Sequence, residues 1–158
     1  MKYELLFLNE QKYMGIKTKI MFKDHDNVDF ARLQKDVINA GIKNLDPNQR
    51  FMAMDSDFTE ESFSYTPLVA VSEFDGDDFI RYTREEGEYY CFDVKIKDLG
   101  PKWFDTCIKF IEQNGFQIDR EYDLEYYPED YLSRIGDNDF LYSEETIQII
   151  FKKKQLFI

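Results

Sequence analysis

Basic side chains are scarce in this chain. Lys and Arg total 20 against 32 Asp and Glu, for a net charge of −12 and a pI near 4.5. Such a field repels phosphate backbones and attracts cations, so direct nucleic-acid binding is not expected. Cysteine is nearly missing too. Cys91 and Cys107 are spaced neither as a metal site nor as a redox pair. Both fall inside expected elements, where buried thiols in a reducing cytoplasm are the expectation. Long apolar runs do not occur. Residues 1–10 hold too short an apolar stretch and too early an acid for a signal peptide, and nothing reaches the length of a membrane-spanning helix. A cytoplasmic location without membrane association is expected. The one histidine, His25, lies in Asp24-His25-Asp26. Adjacent residues converge poorly on an ion, so a capped loop is expected there. The turn carrying Asp75, Asp77 and Asp78 lacks the remaining ligands of a calcium loop, and no Gly-rich phosphate loop or nucleophile elbow occurs. No metal and no cofactor are expected.

What is abundant is aromatic. Tyr and Phe number 11 and 15, and aromatics reach 17% of 158 residues. That exceeds the needs of a core of this size and raises the case for an aromatic-lined site. Hydrophobic content of 43% supports a folded core in one domain or two small fused halves.

Periodicity then orders the chain. Residues 3–8 are a short apolar run. Tyr13 to Phe22 alternates as a half-buried strand. Asp26 or Asn27 can cap a helix whose stripe is Phe30, Leu33, Val37 and Ile38, ended by Gly41. Residues 51–54 and 64–74 read as strands, 75–88 as a charged link and 89–97 as a strand. Pro101 opens a second helix with Phe104, Ile108 and Ile111 buried, stopping at Asn114-Gly115. A strand at 121–127, a polar loop from Tyr131 to Ser143, and a closing strand at 146–152 follow. Phe104 follows Phe30 by 74 positions, as Ile111 follows Val37 and Gly115 follows Gly41. The expected fold class is α+β: two pseudo-symmetric β-α-β-β repeats, with an antiparallel sheet, helices on one side and a ligand cleft between the repeats. The first repeat spans about 1–74, the link about 75–88 and the second repeat about 89–152 of one domain covering 1–158.

Alternation around Glu125 places Tyr122, Leu124 and Tyr126 on one face, expected under the second helix. It places Asp123, Glu125 and Tyr127 on the other, expected in the groove. A carboxylate among aromatic rings can pair with a lipophilic cation or, with a raised pKa, act as general acid or base. An exposed strand acid is the plain alternative. Trp103 is open between packing and ligand contact. Tyr89, Met54 and Phe151 are further candidates for the same cleft, Met being adaptable enough for a promiscuous site.

Pro101-Lys102-Trp103, the Phe110-Ile111 pair, Asn114-Gly115-Phe116 and Glu125-Tyr126-Tyr127 resemble the second half of the GyrI-like, or AraC-type effector-binding, domain family. The doubled element order resembles that family over nearly the whole chain. The resemblance implies small-molecule binding between the repeats, with lipophilic cations held by an aromatic cage and a buried Glu at the position of Glu125. The implied role is multidrug sensing in transcription regulation. It also implies two alternatives: a hydrolase of strained cyclopropane compounds using Glu125 and Trp103, or a gyrase-inhibitor-like protein–protein module. The sequence contains no helix-turn-helix segment, so a transcriptional role is expected to need a regulator protein as partner. It departs from relatives in carrying Lys95 or Lys97 where a His is common, and Gln148-Ile149-Ile150-Phe151 without the usual Pro.

Overall fold

The computed structural model describes residues 1–155. Helix α1 (Phe30–Ile38) starts where the Asp29 carboxylate accepts the Arg32 backbone N–H at 3.1 Å. Asp29, rather than Asp26 or Asn27, is the cap; residues Phe22–Asn27 instead form a short 3-10 turn. Helix α2 (Pro101–Gln113) begins with Pro101, whose missing N–H has no role in a first turn. It ends in a Schellman closure: Phe116 N–H donates to Ile111 C=O at 3.0 Å and Gly115 N–H to Glu112 C=O at 3.1 Å. Gly115 supplies the positive φ of 68° that this closure requires. A one-turn helix, α3 (Tyr131–Arg134), interrupts the segment read as a polar loop.

Among the described residues, nine strands form one antiparallel sheet: β1 (Tyr3–Leu8), β2 (Gln11–Gly15), β3 (Thr18–Met21), β4 (Met52–Ser56), β5 (Ser62–Val71), β6 (Ile80–Arg84), β7 (Gly87–Lys95), β8 (Ile118–Tyr126) and β9 (Thr146–Lys153). Their order is β1-β7-β9-β8-β4-β5-β2-β6, with β3 continuing β2 along β5. The order is symmetric about the β8–β4 junction: β9 mirrors β5, and β7 mirrors β2 with β3. The two β-α-β-β repeats therefore meet at that junction. Each repeat lends its leading strand to the other, since β1 pairs with β7 and β6 with β2. The stretch 75–88, expected as a charged link, thus contains β6 and the start of β7. The expected strand from Tyr13 to Phe22 is divided, with Gly15 closing β2.

Both faces of this sheet are buried. One face packs against all three helices and includes Phe51, Tyr65, Phe92, Val94, Tyr127, Ile149 and Phe151 with Val37, Cys107, Ile111 and Tyr131. The other gathers Tyr13, Met52, Leu68, Tyr89, Cys91, Leu124, Tyr126 and Ile150, and among the described residues no helix contributes to it. The sheet covers that face by curling. Tyr122 on β8 donates to the Tyr82 hydroxyl on β6 at 3.1 Å, although four strand steps separate them. A flat sheet would put them about 19 Å apart at ~4.8 Å per step. Tyr122, Leu124 and Tyr126 therefore do not lie under α2 as expected; they line the curled face opposite the helices. Cys91 and Cys107 are buried free thiols in the two different clusters, which keeps them apart.

Candidate functional site

The helical face is not closed at the repeat junction. A cleft of about 820 Å³ opens between the α1 and α2 sides, lined among others by Phe22, His25, Phe30, Phe58, Phe63 and Tyr65. Ile96, Leu99, Pro101, Phe104 and Arg120 line it from the second repeat. Its first-repeat wall is a run of rings: Phe22 and Phe58 each stack on Phe63, with centroids at 5.5 and 5.7 Å, and Phe30 meets Tyr65 edge-on at 4.9 Å. Phe22 and Phe58 are exposed at the mouth. Exposed rings of this kind hold apolar surface ready for an apolar ligand.

Three carboxyl groups form the floor. Asp55 of β4 and Asp123 and Glu125 of β8 all line the cleft and are all buried. The pairing of Ala53 with Glu125 and of Asp55 with Asp123 puts them on one pleat face of neighbouring strands. Asp123 is satisfied within its own strand: Arg120 donates to both its oxygens, at 2.8 and 3.1 Å. Glu125 accepts the Tyr127 hydroxyl at 2.7 Å. Asp55 comes beside Glu125 across the β4–β8 pairing, and its Oδ1 has no hydrogen-bond partner among the described residues. Burial raises the Asp55 carboxyl well above the usual range, and the neighbouring Glu125 raises it further. Burial also raises Glu125, against the hydrogen bonds from Asp55 and Tyr127, which favour its charged form. Two buried carboxylates this close cannot both ionise without a cation, so they share one proton. Asp55 holds it, because Glu125 has the Tyr127 donor and Asp55 has none.

Behind Glu125 lies a polar network that fixes its position. Gln34 of α1 is wholly buried; it donates to the Tyr65 and Tyr127 hydroxyls at 2.7 and 3.0 Å and accepts from the Tyr131 hydroxyl. Tyr142 lies 3.2 Å from the Tyr127 oxygen. Since the Tyr127 proton is committed to Glu125, Tyr142 is the donor of that pair. The Tyr127, Tyr131 and Tyr142 hydroxyls and the Gln34 amide are all engaged in it, which locks the rotamers around the floor. The segment after α3 also ties the two sides of the cleft: Tyr142 stacks on Phe30, while Glu144 pairs with Lys97 at 3.4 Å and Lys95 at 3.9 Å.

Of the residues singled out by sequence, Glu125 lines the cleft and Tyr127 lies directly behind it as its hydrogen-bond donor. The others stand elsewhere. Tyr89 and Met54 belong to the curled face, on the far side of the sheet from the cleft. Phe151 is buried in the core of the helical face. Trp103 packs edge-on against Phe104 at 5.2 Å and does not line the cleft; Phe104 does. Sequence reasoning missed Asp55, Gln34, Tyr65, Tyr131, Tyr142 and the phenylalanine wall. The acid of Met54-Asp55 was visible, but the β4–β8 pairing that brings it to Glu125 is not written in local pattern. Among the described residues no His, Cys and carboxylate cluster is arranged to hold a metal ion, and no helix is long and apolar enough to cross a membrane.

No protein-family model and no curated protein matches the sequence. Solved structures do match in fold. The structure of SAV2435 bound to tetraphenylphosphonium superposes with a TM-score of 0.60 at 16% identity, covering 98% of this chain and 94% of that one. The EcmrR C-terminal domain gives 0.63 at 14% identity, with 98% of both chains covered. A hydrolase from Listeria innocua gives 0.52 at 12% identity over 97% and 92%. The fold is that of the GyrI-like effector-binding domain, as the resemblance implied.

Proposed function

We propose that this chain is a small-molecule-binding domain that takes a bulky lipophilic monocation in the cleft above Glu125. The observation that carries the reading is a floor with uncompensated negative charge beneath a wall of aromatic rings. Counting Asp55 as neutral and Asp123 as paired with Arg120, the floor keeps one net negative charge on Glu125. Rings around it attract a flat or globular cation by burial and through their π faces. Tetraphenylphosphonium, bound by the fold neighbour SAV2435, has that chemistry. By the same likeness we read the domain as an effector sensor in transcription regulation that reports its ligand to a DNA-binding regulator; EcmrR, another fold neighbour, is solved in complex with DNA, and this chain covers 58% of that EcmrR chain. The hydrolase alternative needs Trp103 beside Glu125, and Trp103 lies outside the cleft.

Calorimetric titration with tetraphenylphosphonium tests the reading. Attraction between unit charges ~6 Å apart at an effective dielectric of ~20 is about 3 kcal/mol, or roughly a hundredfold in affinity. Glu125→Gln alone leaves Asp55 able to ionise in its place, so its loss is smaller. The double variant Asp55→Asn/Glu125→Gln carries the full loss. Absence of binding by the parent protein, or equal affinity in the double variant, overturns the reading.

A further inference from the structure

We propose that the cleft exchanges a proton for its ligand: seating a bulky monocation over Asp55 and Glu125 releases to solvent the one proton the two carboxyls share. The inference rests on the cleft being the cation site and adds how that site is regulated.

Hydrogen bonds and charges around the pair lead to it. Asp55 is buried, lines the cleft and leaves Oδ1 without a donor from any described residue. Glu125 takes one donor from the tyrosines, Tyr127, and among the described residues no cationic side chain. Arg120, the basic side chain in the cleft lining, has its guanidinium engaged by Asp123 and is not available to the pair. Among the described residues, then, no Lys or Arg side chain is free to neutralise Asp55 and Glu125 in the empty cleft, and a proton takes that place. A ligand cation supplies that charge instead. Once it sits there, the second carboxyl ionises, and a pair of charge −2 faces a charge of +1.

Other groups face the pair from every element around it. From β8 these are Asp123 with Arg120, and from β5, Tyr65. Tyr127 follows β8, and Tyr142 lies in the segment before β9. Burial holds all three tyrosines neutral. From α2 comes Asp105, exposed at the rim, and from the turn before α1 come Asp26 and His25. His25 is the group that could imitate the effect. It is the one imidazole in the cleft lining, so the experiment must remove it.

Tetraphenylphosphonium carries a permanent charge and no titratable group, so any proton released comes from the protein. Titration calorimetry at one mildly acid pH, in buffers of different ionisation enthalpy, is expected to read about one proton released per ligand bound. Affinity is expected to rise about tenfold per pH unit over the range in which the free pair holds its proton. His25→Gln, whatever it does to the affinity itself, keeps the proton release and the slope. Asp55→Asn still binds, releases no proton, and loses the slope; its affinity exceeds that of the parent at low pH and falls below it at high pH. Binding without proton release by the parent, or the same release in Asp55→Asn, overturns the exchange while leaving the cation site standing. Loss of slope in His25→Gln assigns the effect to His25 and also overturns it. Absence of binding at every pH removes the cation site and the exchange with it.

Discussion

Gln34→Leu probes the network that holds Glu125 in place. Gln34 sits at the centre of three tyrosines with no exposure to solvent. The three bonds lost are not equal. Tyr127 still donates to Glu125, so its oxygen loses only one of its donors. Tyr65 likewise loses a donor and keeps its own proton free to seek Tyr142. Tyr131 is different: Gln34 Oε1 is the acceptor of its hydroxyl, and without it a wholly buried O–H is stranded. A stranded donor costs about 1–3 kcal/mol and each of the two lost acceptor contacts about 0.5–1 kcal/mol, giving about 2–5 kcal/mol in total. For a chain of this length that is about 4–20 °C in Tm. Urea unfolding followed by circular dichroism measures it. The sharper readout is the cycle with Tyr131→Phe. If the stranded hydroxyl is the main cost, adding Tyr131→Phe to the Gln34→Leu variant restores part of the loss, with a coupling of about 1–2 kcal/mol. Strict additivity of the two single substitutions would refute the assignment of that bond, and with it the account of how the floor is kept rigid.

Two other substitutions test separate features of the molecule. Asp55→Asn removes a carboxyl whose proton affinity is raised on folding by burial and by Glu125. As pH rises above about 4, the unfolded Asp55 ionises and the folded one does not, so the parent loses up to about 1.4 kcal/mol of stability per pH unit until the folded group ionises too. The Asn variant lacks that loss, so its advantage in Tm grows with pH; an advantage constant in pH contradicts the shared proton. Gly15→Ala would place a Cβ 2.1 Å from the Pro67 carbonyl oxygen, where β2 pairs with β5. Backbone has no rotamer to yield, so a cost of about 1–3 kcal/mol or more in urea unfolding is expected. An unchanged midpoint would mean that the strands do not approach as closely as described.

Much of the architecture was legible because helix ends and stripes are local. The stripes of Phe30 to Ile38 and Phe104 to Ile111, with Gly41 and Gly115 at positive φ, come from nearest-turn sterics that neighbours along the chain decide. The 74-residue register followed from the same features repeated. The errors came where both faces of a strand are buried. Tyr122 to Tyr127 runs through partly or wholly buried positions, and alternation then separates two faces without saying which meets a helix. Tyr89 and Met54 stand away from the cleft for that reason: each is on a doubly covered strand, and parity put both on the curled face.

By itself the sequence determined two repeats, two striped helices, an acidic field and a strand on which Asp123, Glu125 and Tyr127 share a face. These rest on periodicity, and periodicity is a property of neighbours in the chain. Only the tertiary structure decided which face of that strand lies in the cleft, because the answer depends on a sheet that curls over four strand steps. It alone brought Asp55 beside Glu125, across the junction of two repeats about 70 residues apart in the chain. And it alone made that pair short of one positive charge, since the charge state of a buried carboxyl is set by what packs around it and not by its place in the sequence.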